Sequence, residues 1–276
     1  MNENELNNNE LNAQNNQNED DRKKRKIKLI LIFIIVFVLV FCAVYFGIQL
    51  YNSYVTKPLP TTTTAPVSVS QTVEESKVDN PIDFDGLKAQ NEDIYAWIKV
   101  DDTNVDYPIV QNPTDDEFYL KHSAEDKSWS ASGAVYTELI NNKNFRDAVT
   151  LIYGHNGYGD TMFTTLHRFS DEEFFNTHPY FYIYTQDRRL TYQVVSAFKY
   201  DDRHIMNSFN FANLEELEEF QSYVQSPTSS LKNVRTDLDK PINSSSKLVI
   251  LSTCITNQKS SRYLICGVLT KDEKTN

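Results

Sequence analysis

The stretch "KLVILSTCITNQKSSRYLIC", residues 247–266, contains two apolar runs that are separated by a polar segment. Runs rich in Val, Ile, Leu and Tyr with polar residues between them are typical of a β-hairpin. Cys254 ends the first run and Arg262 begins the second. Three interpretations of Cys254 are open at this point: a buried packing residue, one half of a disulfide, or a nucleophile.

The register of this hairpin bears on the disulfide. We expect the two strands to pair antiparallel about a turn near Gln258, which sets Cys254 opposite Arg262. Cys266 then faces Ile250, so the two cysteines lie four positions apart along the ladder, roughly 13 Å at ~3.3 Å per residue. A disulfide requires Cα atoms within about 7 Å. We therefore expect no bond between them and a buried, packing role for Cys266.

A reactive cysteine needs a cation and an imidazole nearby. Arg262 supplies the cation if the register is right, although a solvated charge at a strand edge is an equally simple interpretation. His155 ends an apolar run in "AVTLIYGHNGYGD" (148–160), where glycines let the chain turn and leave room beside the ring. The other four histidines are interpreted as surface or capping groups: His122, His167, His178 and His204.

After residue 80, the sequence pattern of the rest of the chain predicts mostly short strands, together with three helical stretches. The strands are expected within 103–111, 132–138 and 148–155, with a hairpin over 180–200 that turns at 186–189. A helix is expected from Phe84 onward with Leu87 on its apolar face and Ile94 and Trp97 as further candidates for that face, before residues 96–100 lead into a strand. Helices are also expected within 161–178, with a new start after Ser170, and over 213–226. Asn213 caps the last helix, with Glu216 at the capping-box position. Its apolar face is expected to contain Leu214, Leu217 and Val224 with Phe220 or Tyr223. The lack of β-α-β alternation indicates a mainly β fold, a barrel or sandwich, with helical insertions.

The N-terminal part predicts a membrane anchor. A polar tail is followed by the basic run Arg22–Lys28 and by twenty uncharged residues, 29–48, which is long enough to cross a bilayer. A cleaved signal peptide is the alternative, but its apolar region is shorter and this run ends in a poor cleavage site. The basic flank keeps the N-terminus in the cytoplasm. The predicted organisation is a tail at 1–26, a transmembrane helix at 27–48, a Thr/Ser/Pro-rich linker at 49–80 and an extracellular domain at 81–276.

The formal net charge is −11. Acidic and basic residues balance within residues 1–48, so the excess negative charge belongs to the remainder of the chain. An acidic extracellular domain is a poor binder of nucleic acid, which requires a basic face. No Cys/His spacing suggests a zinc site, and we expect neither a metal nor another cofactor.

Four segments resemble the sortases, the membrane-anchored cysteine transpeptidases of Gram-positive bacteria. They are "LIYGHN" (151–156), "TMF" (161–163), "LSTC" (251–254) and "SRYLICGVL" (261–269). The order of His, Cys and Arg matches that family, whereas papain-like proteases have their cysteine first.

Further segments are similar to the class B branch, and the resemblance covers roughly residues 84–271. They are "DIYAWIKVDDTNVDYPIVQ" (93–111), "DEFYLKHS" (116–123), "SGAVYTE" (132–138), "FSDEEFFNTHPYFYIYT" (169–185) and the helix at 213–226. The resemblance implies a closed β-barrel of about eight strands, with an N-terminal helix and a helix before the cysteine strand.

The resemblance also implies roles for particular residues. Cys254 would be the nucleophile, His155 the general acid, and Arg262 the group that holds the substrate carbonyl or oxyanion. The sorting-signal groove would be lined by Leu120, Tyr153 and Ser252. The sequence departs from the family pattern in two ways: Ile250 stands where Thr is usual, and Ile255 and Thr256 follow the cysteine where some members carry an acidic residue.

The implied reaction is cleavage of a C-terminal sorting signal on surface-protein precursors through a thioester. The acyl group then passes to an amine on a lipid-linked peptidoglycan precursor. Two alternatives stay open from the sequence: a membrane-tethered binding or sensory domain that has lost catalysis on the same fold, and an enzyme that mainly hydrolyses.

Overall fold

The computed structural model describes residues 77–276. The predicted tail, transmembrane helix and most of the linker lie outside this part of the chain. Within residues 77–276, no helix has both the length and the apolar character needed to cross a membrane.

The described chain contains nine strands and four α-helices, with three short 3-10 helices. The strands are β1 (Ile94–Lys99), β2 (Asp106–Val110), β3 (Val135–Tyr136), β4 (Val149–Tyr153), β5 (Tyr180–Tyr184), β6 (Arg188–Asp201), β7 (Lys232–Val234), β8 (Leu248–Ile255) and β9 (Gln258–Lys274). The α-helices are α1 (Phe84–Gln90), α2 (Glu172–Thr177), α3 (Ile205–Ser208) and α4 (Leu214–Gln225). The 3-10 helices are Phe118–Leu120, Tyr158–Asp160 and Thr164–Ser170.

The sheet closes into a barrel. Its strand order is β5-β1-β2-β3-β4-β8-β9-β6-β7, and β5 also pairs with β6. Eight strands therefore form a ring, while β7 is added outside it on β6. Closure leaves the ring without free strand edges. The mainly β, closed eight-stranded barrel with an N-terminal helix and a helix before the cysteine strand is confirmed.

The burial of both faces of strand β8 explains why its sequence is a continuous apolar run rather than an alternation of polar and apolar residues. Residues 248–253 are all buried. Val249 and Leu251 belong to the cluster inside the barrel, while Leu248 and Ile250 pack in a second cluster with α4. A strand that is covered on both faces has no solvent side, so apolar residues occupy successive positions.

Helix α4 begins where its cap predicts. The Asn213 side chain accepts hydrogen bonds from the backbone N–H groups of Glu215 and Glu216. The capping box is wrong, because the Glu216 carboxylate accepts instead from the Asn210 N–H at 2.7 Å. The prediction that Leu214 lies on the apolar face of the helix is also wrong. It is 56% exposed, and the buried face is formed by Leu217, Phe220, Gln221 and Val224.

Two other helix predictions are corrected. Helix α1 ends before Asn91, and Ile94 and Trp97 lie in β1 rather than on a helical face. The buried Asn91 amide donates to the Tyr119 hydroxyl and the Ala124 carbonyl, which holds this residue extended and stops the helix.

In the segment 161–178, the first helical part is 3-10 rather than α. Helix α2 is capped by Asp171, not Ser170. The Asp171 carboxylate accepts from the Phe174 N–H at 2.8 Å. The hairpin of β5 and β6 forms as predicted, with Tyr184 opposite Arg189.

Gly267 on β9 gives a test of the barrel interior. A Cβ at this position would overlap the ring of Phe181 and lie 3.1 Å from Cβ of Tyr192. Those two rings stack with centroids 5.2 Å apart, so neither can move aside freely. We expect Gly267→Ala to lower the free energy of unfolding by about 1–3 kcal/mol, measured by chemical denaturation. Leu231→Ala, at a 40% exposed position, is the control and should change it by less than about 0.5 kcal/mol. Equal stability of both variants would contradict the close packing at Gly267.

Candidate active site

The hairpin of β8 and β9 has the register expected from the sequence. Cys254 lies opposite Arg262, and Ile250 lies opposite Cys266. The regular pairing stops at Cys254, because Ile255 pairs with Gln258 and leaves three residues of β9, 259–261, without partners on β8. A β-bulge of this kind redirects the side chains beside it. The predicted pairing of Cys254 with Arg262 is confirmed.

The two cysteines of the described chain are free, as the register predicts. Cys254 is exposed and Cys266 is fully buried. Burial raises the pKa of the Cys266 thiol to about 12, although a hydrogen bond with Ser196 opposes the rise. Cys266 is therefore a packing residue, and Cys254 is the thiol that a substrate can reach.

The position of His155 follows from the parallel pairing of β4 with β8. Tyr153 lies beside Ser252, and the Gly154 N–H donates to the Ser252 carbonyl at 3.1 Å. Since parallel strands advance together, His155 comes level with Cys254 at the same end of the barrel. The His155 Nε2 atom lies 2.8 Å from the Leu120 carbonyl oxygen. That oxygen can only accept, so the bond places a proton on Nε2.

The glycine before His155 allows a close approach. A Cβ at Gly154 would lie 2.5–2.9 Å from ring atoms of Phe163, and the Phe163 N–H donates to the His155 carbonyl at 2.9 Å. The ring of Phe163 is completely buried in the barrel core. The main chain that carries His155 is thus packed directly against the core, which holds the imidazole at a fixed place.

All six predicted site residues meet in one cleft of about 280 Å³. It is lined by His155, Cys254 and Arg262 together with Leu120, Tyr153 and Ser252. The other lining residues are Glu117, Tyr136, Glu138, Gly154, His204 and Thr253. A larger cavity of about 750 Å³, between residues 140–149 and 206–216, contains none of the six.

Arg262 is held by the bulge rather than left as a solvated strand-edge charge. Its Nη1 donates to the carbonyls of Lys259 and Ser261, each at 3.1 Å. These acceptors belong to the bulge itself, so the irregular backbone anchors the guanidinium. No acidic side chain of residues 77–276 forms an ion pair with Arg262.

The sequence does not reveal a polar pair in the wall of the cleft. His204 Nε2 lies 2.8 Å from a Glu138 carboxylate oxygen and 3.3 Å from the Tyr153 hydroxyl. His204 also caps α3, where Nδ1 accepts from the Asn207 N–H, so the capping role predicted for it is only part of its contacts. Burial, and next the charge of Glu138, raise the pKa of the Tyr153 hydroxyl, which keeps it neutral.

A second pair contacts the backbone of Cys254. Asn156 Nδ2 donates to the Cys254 carbonyl at 3.1 Å, and His167 Nε2 lies 2.9 Å from the same oxygen. The interpretation of His167 as a surface group is incomplete, because its ring also stacks on Tyr263. Sequence separation hides both contacts: nothing in the local pattern links His167 to a residue 87 positions away.

The difference between the two thiols is directly measurable. We expect iodoacetamide near neutral pH to alkylate Cys254 in the folded protein while Cys266 stays unmodified until denaturant is added, because only the thiolate reacts and burial keeps Cys266 neutral. Peptide mapping by mass spectrometry of the non-reduced protein reads both sites. Labelling of Cys266 without denaturant, or a disulfide-linked peptide pair, would contradict this arrangement.

Comparison with known proteins agrees with this fold and cleft. The family model of the sortase domain matches residues 98–270. A sortase B of Listeria monocytogenes is 25% identical over 185 residues, which covers 66% of this chain and 72% of that protein. The X-ray structure of Clostridium perfringens sortase B has a TM-score of 0.61 and 31% identity, covering 68% of this chain and 99% of that one.

A Streptococcus pyogenes class B sortase involved in pilus biogenesis is a further structural match. Its TM-score is 0.58 at 31% identity, covering 68% of this chain and 98% of that chain. The model match, the relatives and the barrel all lead to the same family. The chain belongs to the sortases, which are cysteine transpeptidases, and within them to class B.

Proposed function

We propose that this transpeptidase cleaves a C-terminal sorting signal on surface-protein precursors and transfers the acyl group to an amine of a cell-wall precursor. The observation that carries the proposal is the register of β8 and β9. It sets Cys254 opposite Arg262, and both line the cleft that contains His155. A thiol, a fixed cation and an imidazole in one cleft are the groups that acyl transfer through a thioester requires.

In the first step, the Cys254 thiolate attacks a backbone carbonyl carbon of an extended peptide. A C–S bond forms and an electron pair moves onto the carbonyl oxygen. The Arg262 guanidinium stabilises this oxyanion. It carries five N–H donors, and the two bonds to the bulge use only Nη1, which leaves donors for the substrate.

In the second step, His155 acts as the general acid. Nε2 is bonded to the Leu120 carbonyl, so the proton that can leave the imidazolium is on Nδ1. It passes to the departing amine as the C–N bond breaks, which leaves a thioester on Cys254. The acceptor amine then attacks the thioester, His155 takes up its proton, and the Cys254 thiolate is released.

The groove residues Leu120, Tyr153 and Ser252 support substrate binding from the walls of this cleft. Tyr153 stacks on Tyr136 with ring centroids 5.2 Å apart, which gives an aromatic wall. Leu120 has a second role in this proposal, because its backbone carbonyl orients the His155 imidazole. Binding the peptide along Leu120 therefore also bears on the geometry of His155.

The proposed location follows from the sequence and from the family. Sortases act at the cell surface. A membrane helix at 27–48 and a linker at 49–80 would tether the catalytic domain, 81–276, outside the membrane, where a lipid-linked precursor presents its amine. Neither step of the acyl transfer uses a metal ion or another cofactor.

Cleavage of fluorogenic sorting-signal peptides by the full-length protein in detergent tests the proposal. We expect Cys254→Ala to abolish cleavage and His155→Ala to lower kcat by about 10²–10⁴-fold. Arg262→Lys should lower it by about 10²–10³-fold, since the lysine keeps the charge but loses the donor fork. Arg189→Lys is the matched control, because Arg189 lies in an ion pair with Glu273, away from the cleft.

The alternatives give different outcomes in the same assay. Absence of cleavage by the wild type across a peptide panel would favour a binding or sensory domain. Cleavage without a product that depends on an added amine acceptor would favour a hydrolase. Activity that survives Cys254→Ala would overturn the assigned nucleophile.

The scheme also predicts the pH dependence. It requires an ionised Cys254 and a protonated His155 in the same molecule, so kcat/KM should rise and then fall with pH. Measurement from about pH 5 to 10 with a short peptide tests this shape. A rate that rises to a plateau at alkaline pH would instead indicate that no protonated group is needed.

A further inference from the structure

We propose that Asn156 and His167 are positioning residues for the nucleophile. They bind the main-chain carbonyl of Cys254 and thereby fix the direction in which its thiol leaves the strand. The inference rests on the proposed function in one respect, that Cys254 is the attacking group.

Both side chains meet one oxygen atom. Asn156 Nδ2 donates to the Cys254 carbonyl at 3.1 Å, and His167 Nε2 lies 2.9 Å from it. Since a carbonyl oxygen only accepts, His167 carries a proton on Nε2 in this contact. The two donors come from different places: Asn156 directly follows His155, and His167 lies in the 3-10 helix Thr164–Ser170.

The pairing of β4 with β8 explains why this carbonyl needs side-chain donors. Carbonyls two residues apart on a strand point toward the same neighbouring strand. The Ser252 carbonyl accepts from the Gly154 N–H, so the Cys254 carbonyl points to where β4 would continue. However, β4 ends at Tyr153, and Asn156 forms an isolated bridge with Met162 instead of continuing the strand. The side chains of Asn156 and His167 take the place of the missing backbone donor.

The pairing of β8 with β9 adds few contacts that hold the main chain of Cys254. Its pairing with Arg262 is the last in the regular register before the bulge. Beyond it, Asn156 Nδ2 also donates to the Thr256 hydroxyl at 2.9 Å. One amide therefore holds the end of β8 on both sides of Ile255, beyond the last pair of the regular register.

His167 links the nucleophile to the strand that carries the cation. Its ring stacks on Tyr263 with centroids 5.0 Å apart and an interplanar angle of 29°. Tyr263 is completely buried, pairs with Thr253 and immediately follows Arg262. The same imidazole thus contacts the main chain of Cys254 and the neighbour of Arg262.

These contacts have two consequences for the thiolate. They fix the peptide plane between Cys254 and Ile255, and so the Cα–Cβ direction of the nucleophile. They also bind the partial negative charge of the carbonyl, which would otherwise oppose a negative sulfur on the same residue. Neither Asn156 nor His167 lines the substrate cleft, so their effect should be on the reaction rather than on peptide binding.

The test compares kcat and KM for a sorting-signal peptide in the full-length protein. We expect Asn156→Ala and His167→Ala each to lower kcat about 10-fold while KM stays within about twofold, because a misplaced nucleophile slows attack without weakening binding. His167→Gln keeps an N–H donor at similar reach and should recover most of the lost kcat.

His178→Ala is the matched control. His178 likewise stacks on an aromatic ring, that of Phe174 at 3.9 Å, and lies 2.9 Å from the Phe174 carbonyl, but it does not contact Cys254. Thermal unfolding of every variant measures the purely structural effect. The control should lose stability without a change in kcat.

A second measurement needs no peptide substrate. The rate at which iodoacetamide modifies Cys254 should fall about threefold or more in His167→Ala and recover in His167→Gln. If no peptide is cleaved but this pattern holds, the proposed function fails and the positioning role stands. If His167→Ala has the same alkylation rate and the same kcat as the wild type, the positioning role is overturned. A variant that raises only KM, or a kcat that His167→Gln does not restore, would overturn it as well.

Discussion

The antiparallel register of β8 and β9 is the constraint on which the site depends, because it alone sets Cys254 against Arg262. Residues 248–253 of β8 and 263–268 of β9 are buried on both faces, so alternation of polar and apolar residues cannot fix the register there. Gly267 supplies the missing specificity. It lies against the ring of Phe181, where even one added carbon has no room. A slip of one position would bring Cys266 or Val268, the residues on either side of Gly267, against that ring, so steric exclusion inside the barrel holds this end of the hairpin in place.

The parallel pairing of β4 with β8 adds the third group. Parallel neighbours end at the same edge of a sheet, so His155 and Cys254 come together although about a hundred residues separate them. Their strands stop regular pairing at this point, and the main chain becomes free to bind side chains and substrate. The bulge on β9 is part of the same construction, because its carbonyls hold Arg262. The site is thus assembled where three neighbouring strands leave the regular ladder.

The sequence predicts the parts of this arrangement that are local. Both strands of the β8–β9 hairpin lie within residues 248–274, so ladder geometry alone gives the pairing of Cys254 with Arg262 and separates the cysteines. Contacts between distant segments leave no such signal. The bond of His204 to Glu138 spans 66 positions, and that of His167 to Cys254 spans 87. Helix α4 shows the same limit: its cap is local, whereas the exposure of Leu214 depends on what packs beside it.

The cleft of this acidic protein contains a cation, Arg262, that has no ion-pair partner among residues 77–276. Two carboxylates line the cleft, those of Glu117 and Glu138, and His204 Nε2 lies 2.8 Å from the second. Within residues 77–276, Arg262 is bound only by backbone carbonyls, which orient a guanidinium without neutralising it. An Arg–carboxylate pair in the cleft would have to be broken before an oxyanion could bind, at a cost in free energy. Since neither Glu117 nor Glu138 forms an ion pair with Arg262, its guanidinium stays available for the negative oxygen of the proposed reaction.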